Sequence, residues 1–288
     1  MITPSKRQSV LAKVRAIPSL PVAATKVIAL LRDTEVKLDD LLRAIQYDQG
    51  LTSNVLRLAN SAYFAGPRTI GSVREAIMRL GMNRLFQLVI TTAVTPFGRQ
   101  EVRGYDLSAG KLMEHATSVA VGAEELAAQL RVKAPKETFT AGLLHDLGKV
   151  ALGTFVDVDG DAITKLAYEH HMSFELAEVE VLGINHAEVG AVLLEQWNLP
   201  DSIVNVVRWH HKPDRYKGDQ LLFDLVHAAD HLSYQIGIGA GIDGLNYQAS
   251  PEVFERLHIT DEVVEKVSCQ MFAGLDSLRE LYGSGAEK

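Results

Sequence analysis

The chain has 288 residues, of which 47% are hydrophobic and 23% charged, a balance typical of a globular protein. Its formal net charge of -7 argues against broad, non-specific nucleic-acid binding, which needs a surplus of Lys and Arg. The most apolar run, at 85–94, is too short to cross a bilayer, and the first ten residues lack the apolar segment of a signal peptide. A cytoplasmic protein with no membrane and no nucleic-acid partner is therefore expected.

Helical periodicity recurs along nearly the whole chain, and no convincing alternating strand pattern interrupts it. The segment 108–130 has one apolar face, with Ser108 as a candidate N-cap, and His115 lies on or beside that face. Further helices are predicted from Ser173 to Val181, from His186 to Trp197, and over 201–211, 220–236 and 261–282. The predicted fold class is all-α.

Two features are predicted near the C-terminal end of the chain. The glycine-rich stretch IGIGAGIDG at 236–244 is expected to separate the helix before it from a C-terminal extension. The single cysteine, Cys269, excludes an internal disulfide and is expected to be a small buried apolar side chain.

Histidine and aspartate side chains occur in five separated segments that together could hold metal ions. These residues are His115, His145 with Asp146, His186, His210 with His211, and Asp230. Neutral imidazoles and carboxylates are the usual protein ligands of first-row transition metals. Asp146 can offer one oxygen to each of two ions, although on a helix it would diverge from His145 by about 100°. We therefore predict a dinuclear centre, in which His115 and Asp230 complete one site and His186 with His210 or His211 completes the other.

Other interpretations of single residues remain open. A lone histidine on an apolar face, such as His115, is usually a packed side chain with one hydrogen bond. On the last of these helices, His227 and His231 could be the ligands in place of Asp230. Of the adjacent pair, His210 is preferred to His211 as the direct ligand because it lies further inside its helix.

The segments that contain the histidines and aspartates also suggest a role for Lys149 and a choice of metal. Lys149 either complements the dipole at a helix C-terminus or holds a phosphate oxygen beside the metals. Mixed nitrogen and oxygen ligation with open positions is unlike a closed structural zinc site. Two divalent transition-metal ions are expected, with iron or manganese favoured over nickel, zinc or magnesium.

The order His115, then HDLGK, His186, the HH pair and Asp230 resembles the HD superfamily of metal-dependent phosphohydrolases. The segments at 17–33, 41–64 and 72–85 narrow the resemblance to HDOD domains, most specifically through LRLANSAYF and AIMRLG. The resemblance covers residues 10–235, with an N-terminal helical region at 10–98 and an HD-type metal-binding core at 105–235. Residues 236–288 would form a C-terminal helical extension.

The resemblance implies a protein of bacterial signal transduction. Many HDOD domains lack the metal ligands of their hydrolase relatives. This chain departs from them, because by resemblance it keeps the complete set of those ligands. The resemblance thus implies a metal-dependent phosphohydrolase or phosphodiesterase that acts on a phosphate ester or nucleotide. Asp146 and Lys149 would be its catalytic residues. The alternative is a non-catalytic module that binds a signalling protein and keeps a structural or sensory metal site.

Cyclic di-GMP is disfavoured as the substrate because the sequence after the HH pair differs from that of the related HD-GYP phosphodiesterases. In those enzymes a glutamate and a DGxGYP stretch follow the HH pair. Here Lys212 follows the pair, and the chain continues to Gly218 without the GYP turn.

Overall fold

The computed structural model describes residues 4–33, 35–64, 66, 68–156, 160–239 and 241–282. Within these ranges the chain is helical, and its one β-feature is an isolated bridge between Val102 and Leu107. The all-α prediction is confirmed. None of the helices in the described ranges combines the length and the apolar character needed to span a membrane. The last six residues of the predicted C-terminal extension lie outside the described part of the chain.

Fifteen α-helices are formed by the described residues. The first five are α1 (Pro4–Arg15), α2 (Val22–Leu31), α3 (Leu38–Gln46), α4 (Gln49–Ala59) and α5 (Val73–Gly98). The next five are α6 (Lys111–Gln129), α7 (Thr138–Leu144), α8 (Leu147–Val150), α9 (Gly160–Glu169) and α10 (Phe174–Leu182). The last five are α11 (His186–Gln196), α12 (Asp201–Trp209), α13 (Gln220–Gln235), α14 (Pro251–Leu257) and α15 (Asp261–Tyr282). A π-helical segment spans Ala151–Val156, and 3-10 turns span Pro213–Arg215 and Ile242–Asn246.

Most predicted helices match to within one or two residues, and the differences have local causes. Helix α6 begins at Lys111 and not near Ser108, because Gly110 precedes it with a φ of 86° and no side chain caps the helix. Ser173 stands at the N-cap of α10 but makes no side-chain capping bond. Helix α12 ends at Trp209, so the HH pair follows the helix and does not lie within it.

The expectation that Cys269 is buried is wrong. Its side chain is exposed on α15. The buried face of that helix contains Val267, Met271, Leu275 and Leu278, which recur at helical spacing. Cys269 lies two residues beyond Val267, on nearly the opposite side of the helix.

Three close helix contacts, each made possible by a glycine, hold the centre of the fold together. A methyl group at Gly142 of α7 would lie 2.8 Å from the Cα of Ala120 in α6. One at Gly148 of α8 would lie 1.9 Å from the carbonyl oxygen of His186. A methyl group at Gly190 of α11 would lie 2.9 Å from a side-chain carbon of Val207 in α12. Side chains at these positions would force the backbones apart.

A polar cluster joins the N-terminal helices to α6. Tyr63, which follows α4, donates a hydrogen bond of 2.6 Å to a carboxylate oxygen of Glu124 in α6. Arg84 of α5 pairs with the same carboxylate at 2.8 Å, and Gln87 adds a third bond. Gly81, in the AIMRLG stretch, adopts a φ of 79° that interrupts α5 just before Arg84.

Candidate metal centre

The predicted ligands lie on five different elements that meet around α8. His115 projects from the middle of α6, and Asp230 from α13. His145 and Asp146 occupy the junction between α7 and α8, where Asp146 leaves the helical conformation with φ -101° and ψ 8°. The two residues therefore do not lie on one continuous helix, contrary to the expectation from the sequence. His186 is the first residue of α11, and His210 and His211 directly follow α12.

One oxygen of Asp146 faces the first group of ligand atoms. Its Oδ2 lies 3.4 Å from Nε2 of His115 and 3.3 Å from Nε2 of His145. Asp230 Oδ1 lies 3.1 Å from the same atom of His115 and 3.4 Å from that of His145. Two imidazoles and two carboxylates thus converge on one small volume.

The other oxygen of Asp146 faces the second group. Its Oδ1 lies 3.4 Å from Nε2 of His186 and 3.7 Å from Nε2 of His210. Nε2 of His211 lies 2.8 Å from Nε2 of His186, and ligand atoms of these four residues lie within 4.8 Å of one another. Both members of the HH pair therefore reach this group, and the preference for His210 as the direct ligand stays a prediction.

Hydrogen bonds on the outer side of the imidazole rings orient the inner nitrogens. Nδ1 of His145 lies 2.7 Å from the carbonyl oxygen of Gly142, and Nδ1 of His210 lies 2.8 Å from that of Val207. Nδ1 of His186 lies 2.8 Å from a carboxylate oxygen of Glu178. Because these oxygens only accept, Nδ1 donates its proton to them, and Nε2 faces inward. This is the arrangement of metal-bound histidines.

His115 is oriented in the same way by the end of α13 and the segment after it. Its Nδ1 lies 3.3 Å from the carbonyl oxygen of Ile238 and 3.2 Å from Oγ of Ser233. Gly239, with a φ of 62°, lets the chain pass close to the ring, since a methyl group there would lie 2.6 Å from the Cβ of His115.

The inner polar atoms fit a bound cation. Among the described residues, Asp146 Oδ1, Asp230 Oδ1 and the Nε2 atoms of His115, His145 and His210 are buried without a hydrogen-bond partner. Such groups are normally satisfied, because burying them unpaired costs about 1–3 kcal/mol each. Nitrogen and oxygen donors at this density suit a divalent transition metal, and the chain therefore has the donor set for such an ion.

Opposing charges dominate the electrostatics of the two groups. Burial works to lower the pKa of His145, but the carboxylates of Asp146 and Asp230 raise it to about 10. Burial works to raise the pKa of Asp146, yet His145 and Lys149 hold it well below its usual range. Burial and the neighbouring His145 lower the pKa of His210 to about 3.

Lys149 lies inside the site and not at an exposed helix end. It is 1% exposed, and its Nζ lies 2.5 Å from Oδ2 of Asp146. The same Nζ donates to the carboxylate of Asp243 and to the hydroxyl of Tyr234, the latter at 3.0 Å. The positive charge therefore bridges the candidate centre and the segment that follows α13.

The alternative ligands on α13 do not join either group of described residues. Both ring nitrogens of His227 have other partners, since Nδ1 lies 2.6 Å from the carbonyl oxygen of His210 and Nε2 accepts from the backbone of Ser250. His231 instead packs its ring against that of Tyr247, with centroids 5.7 Å apart.

Sequence reasoning missed several residues that complete the site. The buried Glu178 binds both Nδ1 and the backbone N–H of His186 and accepts from the hydroxyl of Tyr105. Tyr234 and Asp243 flank Lys149. Alternating Glu and apolar residues before a glycine, as in ELAEVEVLG, could have suggested an inward-facing Glu178, but nothing in the stretch 236–244 indicates a contact with Lys149.

Comparison with known proteins agrees with this geometry. The profile of the HDOD domain matches residues 17–213, well over half of the sequence. This chain belongs to the HDOD domain family. An uncharacterized relative of the HDOD protein, from Treponema pallidum (strain Nichols), is 27% identical over 214 residues, which cover 73% of this chain and 41% of the relative. The HDOD protein thus aligns with well under half of that relative's length.

Two solved structures resemble the whole HDOD protein. One, from Shewanella amazonensis SB2B and provisionally named a phosphohydrolase, is 25% identical, with a TM-score of 0.71. The alignment covers 95% of this chain and 98% of that one. The other is an HDOD domain protein with unknown function from Geobacter sulfurreducens, also 25% identical with a TM-score of 0.71. Here the coverage is 97% of this chain and 96% of that one.

Proposed function

We propose that this HDOD protein binds two divalent transition-metal ions, iron or manganese, and acts in bacterial signalling as a metal-dependent phosphohydrolase. The observation that carries the proposal is the position of Asp146, whose two oxygens face two separate groups of inward-pointing imidazoles. A carboxylate in this position can bridge two ions. The provisional name of the Shewanella structure supports the same class of activity.

The residues around the two groups have distinct proposed roles. A pair of divalent ions, when bound, acts as a Lewis acid and lowers the pKa of a water molecule toward neutrality. His115, His145 and Asp230 would hold the first ion, and His186, His210 and His211 the second, with Asp146 shared. The ammonium of Lys149, beside Asp146 Oδ2, would hold an oxygen of a phosphate ester or nucleotide. Glu178 keeps the ring of His186 aligned.

Cyclic di-GMP remains a disfavoured substrate. Lys212 stands where the HD-GYP phosphodiesterases carry a glutamate, and its Nζ lies 3.8 Å from a carboxylate oxygen of Glu175. A cation in place of an anion changes the charge beside the second group of ligands.

A regulatory role without turnover is the second candidate function. It is favoured by the burial of the site, since every predicted ligand except His211 is at most 2% exposed. In residues 241–250, Asp243 also pairs with Lys149 and Tyr247 packs against His211, contacts that a structural or sensory metal would leave in place.

Metal analysis tests the proposed centre. Protein purified without added metal is expected to contain about two transition-metal ions per chain. Asp146→Ala should lose both ions, whereas His115→Ala should lose mainly the first, because Asp146 presents one oxygen to each group and His115 faces only the first. His258→Ala, which changes an exposed histidine, is the matched control. Equal metal counts in Asp146→Ala and His115→Ala would refute the shared carboxylate.

Turnover separates the two candidate functions. The metal-loaded protein is assayed against phosphodiesters, phosphomonoesters, nucleotides and cyclic dinucleotides, with Asp146→Ala as the inactive control. Hydrolysis that Asp146→Ala abolishes supports the phosphohydrolase. A fully loaded protein that hydrolyses none of these compounds supports the regulatory role.

A further inference from the structure

We propose that residues 241–250, here called the strap, form a displaceable cover in which Asp243 occupies the place of a phosphoryl group at Lys149. A phosphate-bearing ligand would then bind by displacing Asp243 and opening the strap. This inference rests on the proposed function and adds to it the means by which the buried site is opened.

Asp243 is held as an anionic ligand would be held. Its carboxylate accepts from the ammonium of Lys149, and its Oδ2 accepts a bond of 2.8 Å from the hydroxyl of Tyr234. The other oxygen of Asp243 is buried without a hydrogen-bond partner among the described residues. Two donors thus converge on a carboxylate that is not one of the predicted metal ligands. A phosphate offers the same donors more oxygens and more negative charge.

Tyr247 packs against the part of the site that is partly exposed. Its ring centroid lies 5.6 Å from that of His211, which is the one predicted ligand that is partly exposed. The ring also lies 5.7 Å from His231 and 5.0 Å from Tyr234. A ligand that approaches the second group from solvent at His211 would therefore meet Tyr247 first.

Few hydrogen bonds anchor the strap to the rest of the protein besides that of Asp243. Near its beginning, the N–H of Ile242 donates to the carbonyl oxygen of Tyr105 at 3.1 Å. At its end, the N–H of Ser250 donates to Nε2 of His227 at 2.9 Å, and Oγ of Ser250 reaches Asp214 at 3.2 Å. Between these points the backbone bonds of the described strap residues are internal, at Gly244 and Tyr247. The hydroxyl of Tyr247 adds a contact of 3.4 Å to Nδ1 of His227 and a hydrogen bond to Asp230. A segment attached in this way can open without unfolding the helices beneath it.

Hydrogen exchange tests the displacement directly. The full-length, metal-loaded protein is compared with and without inorganic phosphate, and amide exchange is followed by mass spectrometry. Most ligands slow exchange at their site, whereas here phosphate should speed exchange in 241–250. Asp243→Asn should already exchange faster without phosphate, because a neutral amide binds the ammonium of Lys149 more weakly than a carboxylate does.

One affinity measurement and one rate measurement complete the test. Asp243→Asn should bind inorganic phosphate about tenfold more tightly than the wild type, since its competitor is weakened. Tyr247→Ala should speed the removal of metal by excess chelator by about tenfold or more, at unchanged initial metal content. Asp39→Asn and Tyr168→Ala change an exposed aspartate and an exposed tyrosine, and both should behave as the wild type.

The outcomes separate this inference from the proposed function. Phosphate that binds but slows or does not change exchange in the strap overturns the inference, as does Asp243→Asn with unchanged phosphate affinity. A purely structural role of Asp243 would appear as lower metal content and lower thermal stability with no gain in phosphate affinity, which also overturns it. If phosphate binds to none of the metal-loaded proteins, the inference is likewise overturned. A wild-type protein that holds no metal would overturn the proposed function itself.

Discussion

Gly148→Ala should damage the candidate centre without changing a ligand or a charge. The new methyl group would lie 1.9 Å from the carbonyl oxygen of His186 and 2.7 Å from the backbone nitrogen of Gly190. Ordinary van der Waals contact begins near 3.4 Å, so α8 and α11 must separate by about 1.5 Å. Both obstructing atoms belong to the backbone, and no side-chain rotation can relieve the clash.

The magnitude follows from this geometry. Overpacking a close-packed core costs about 1–3 kcal/mol, and a clash with backbone atoms that cannot rotate away belongs at the upper end. This is a large share of a total stability of about 5–15 kcal/mol. The same separation would move Nε2 of His186 away from Oδ1 of Asp146, which now lies 3.4 Å away. The second ion should therefore be lost before the first.

Urea denaturation followed by circular dichroism measures the loss of stability, and elemental analysis measures the metal content. Gly71→Ala is the matched control, because a methyl group there meets only a carboxylate oxygen of Glu75 at 3.7 Å. We expect Gly148→Ala to be less stable than this control by about 3 kcal/mol and to retain about one ion. Equal unfolding free energies and equal metal contents for the two variants would refute the reasoning.

Three further predictions concern other contacts. Glu178→Gln, which removes the charge bound to His186, should weaken metal binding by about 10–100-fold, as measured by competition with a chelator; an unchanged affinity would show that Glu178 does not orient the ring. His210→Ala should remove more metal than His211→Ala, because water can replace the partly exposed His211, and the reverse order in elemental analysis would contradict this. Tyr63→Phe should lower the free energy of unfolding in urea by about 1.5 kcal/mol through the lost bond to the Glu124 carboxylate, and no change would mean that the bond contributes nothing net.

The residues that converge on Asp146 could be predicted from the sequence because metal chemistry restricts the choice of side chain. Both groups around Asp146 contain the residues that the sequence singled out. The backbone conformation at these residues could not be predicted. The helix is interrupted at Asp146, where α8 packs tightly against α11, and such packing depends on the tertiary fold.

The orienting contacts were hidden for a different reason. Two of the imidazole partners are carbonyl oxygens, of Gly142 and Val207, and every residue type has such an oxygen. Asp243 lies 94 residues after Lys149, in a glycine-rich stretch whose composition indicates a separator between elements. Contacts between residues so far apart in sequence depend on the tertiary fold and not on local pattern.

The cluster of Tyr63, Arg84 and Glu124 has a consequence for how this protein can be divided. Tyr63 belongs to LRLANSAYF, one of the two stretches most specific to HDOD domains, while Glu124 lies nine residues after His115 on the same helix. A fragment that began at residue 105 would leave the Glu124 carboxylate without these partners. The family signature is thus one half of an internal interface, and exchanging it between relatives would require the matching half of α6 to be exchanged with it.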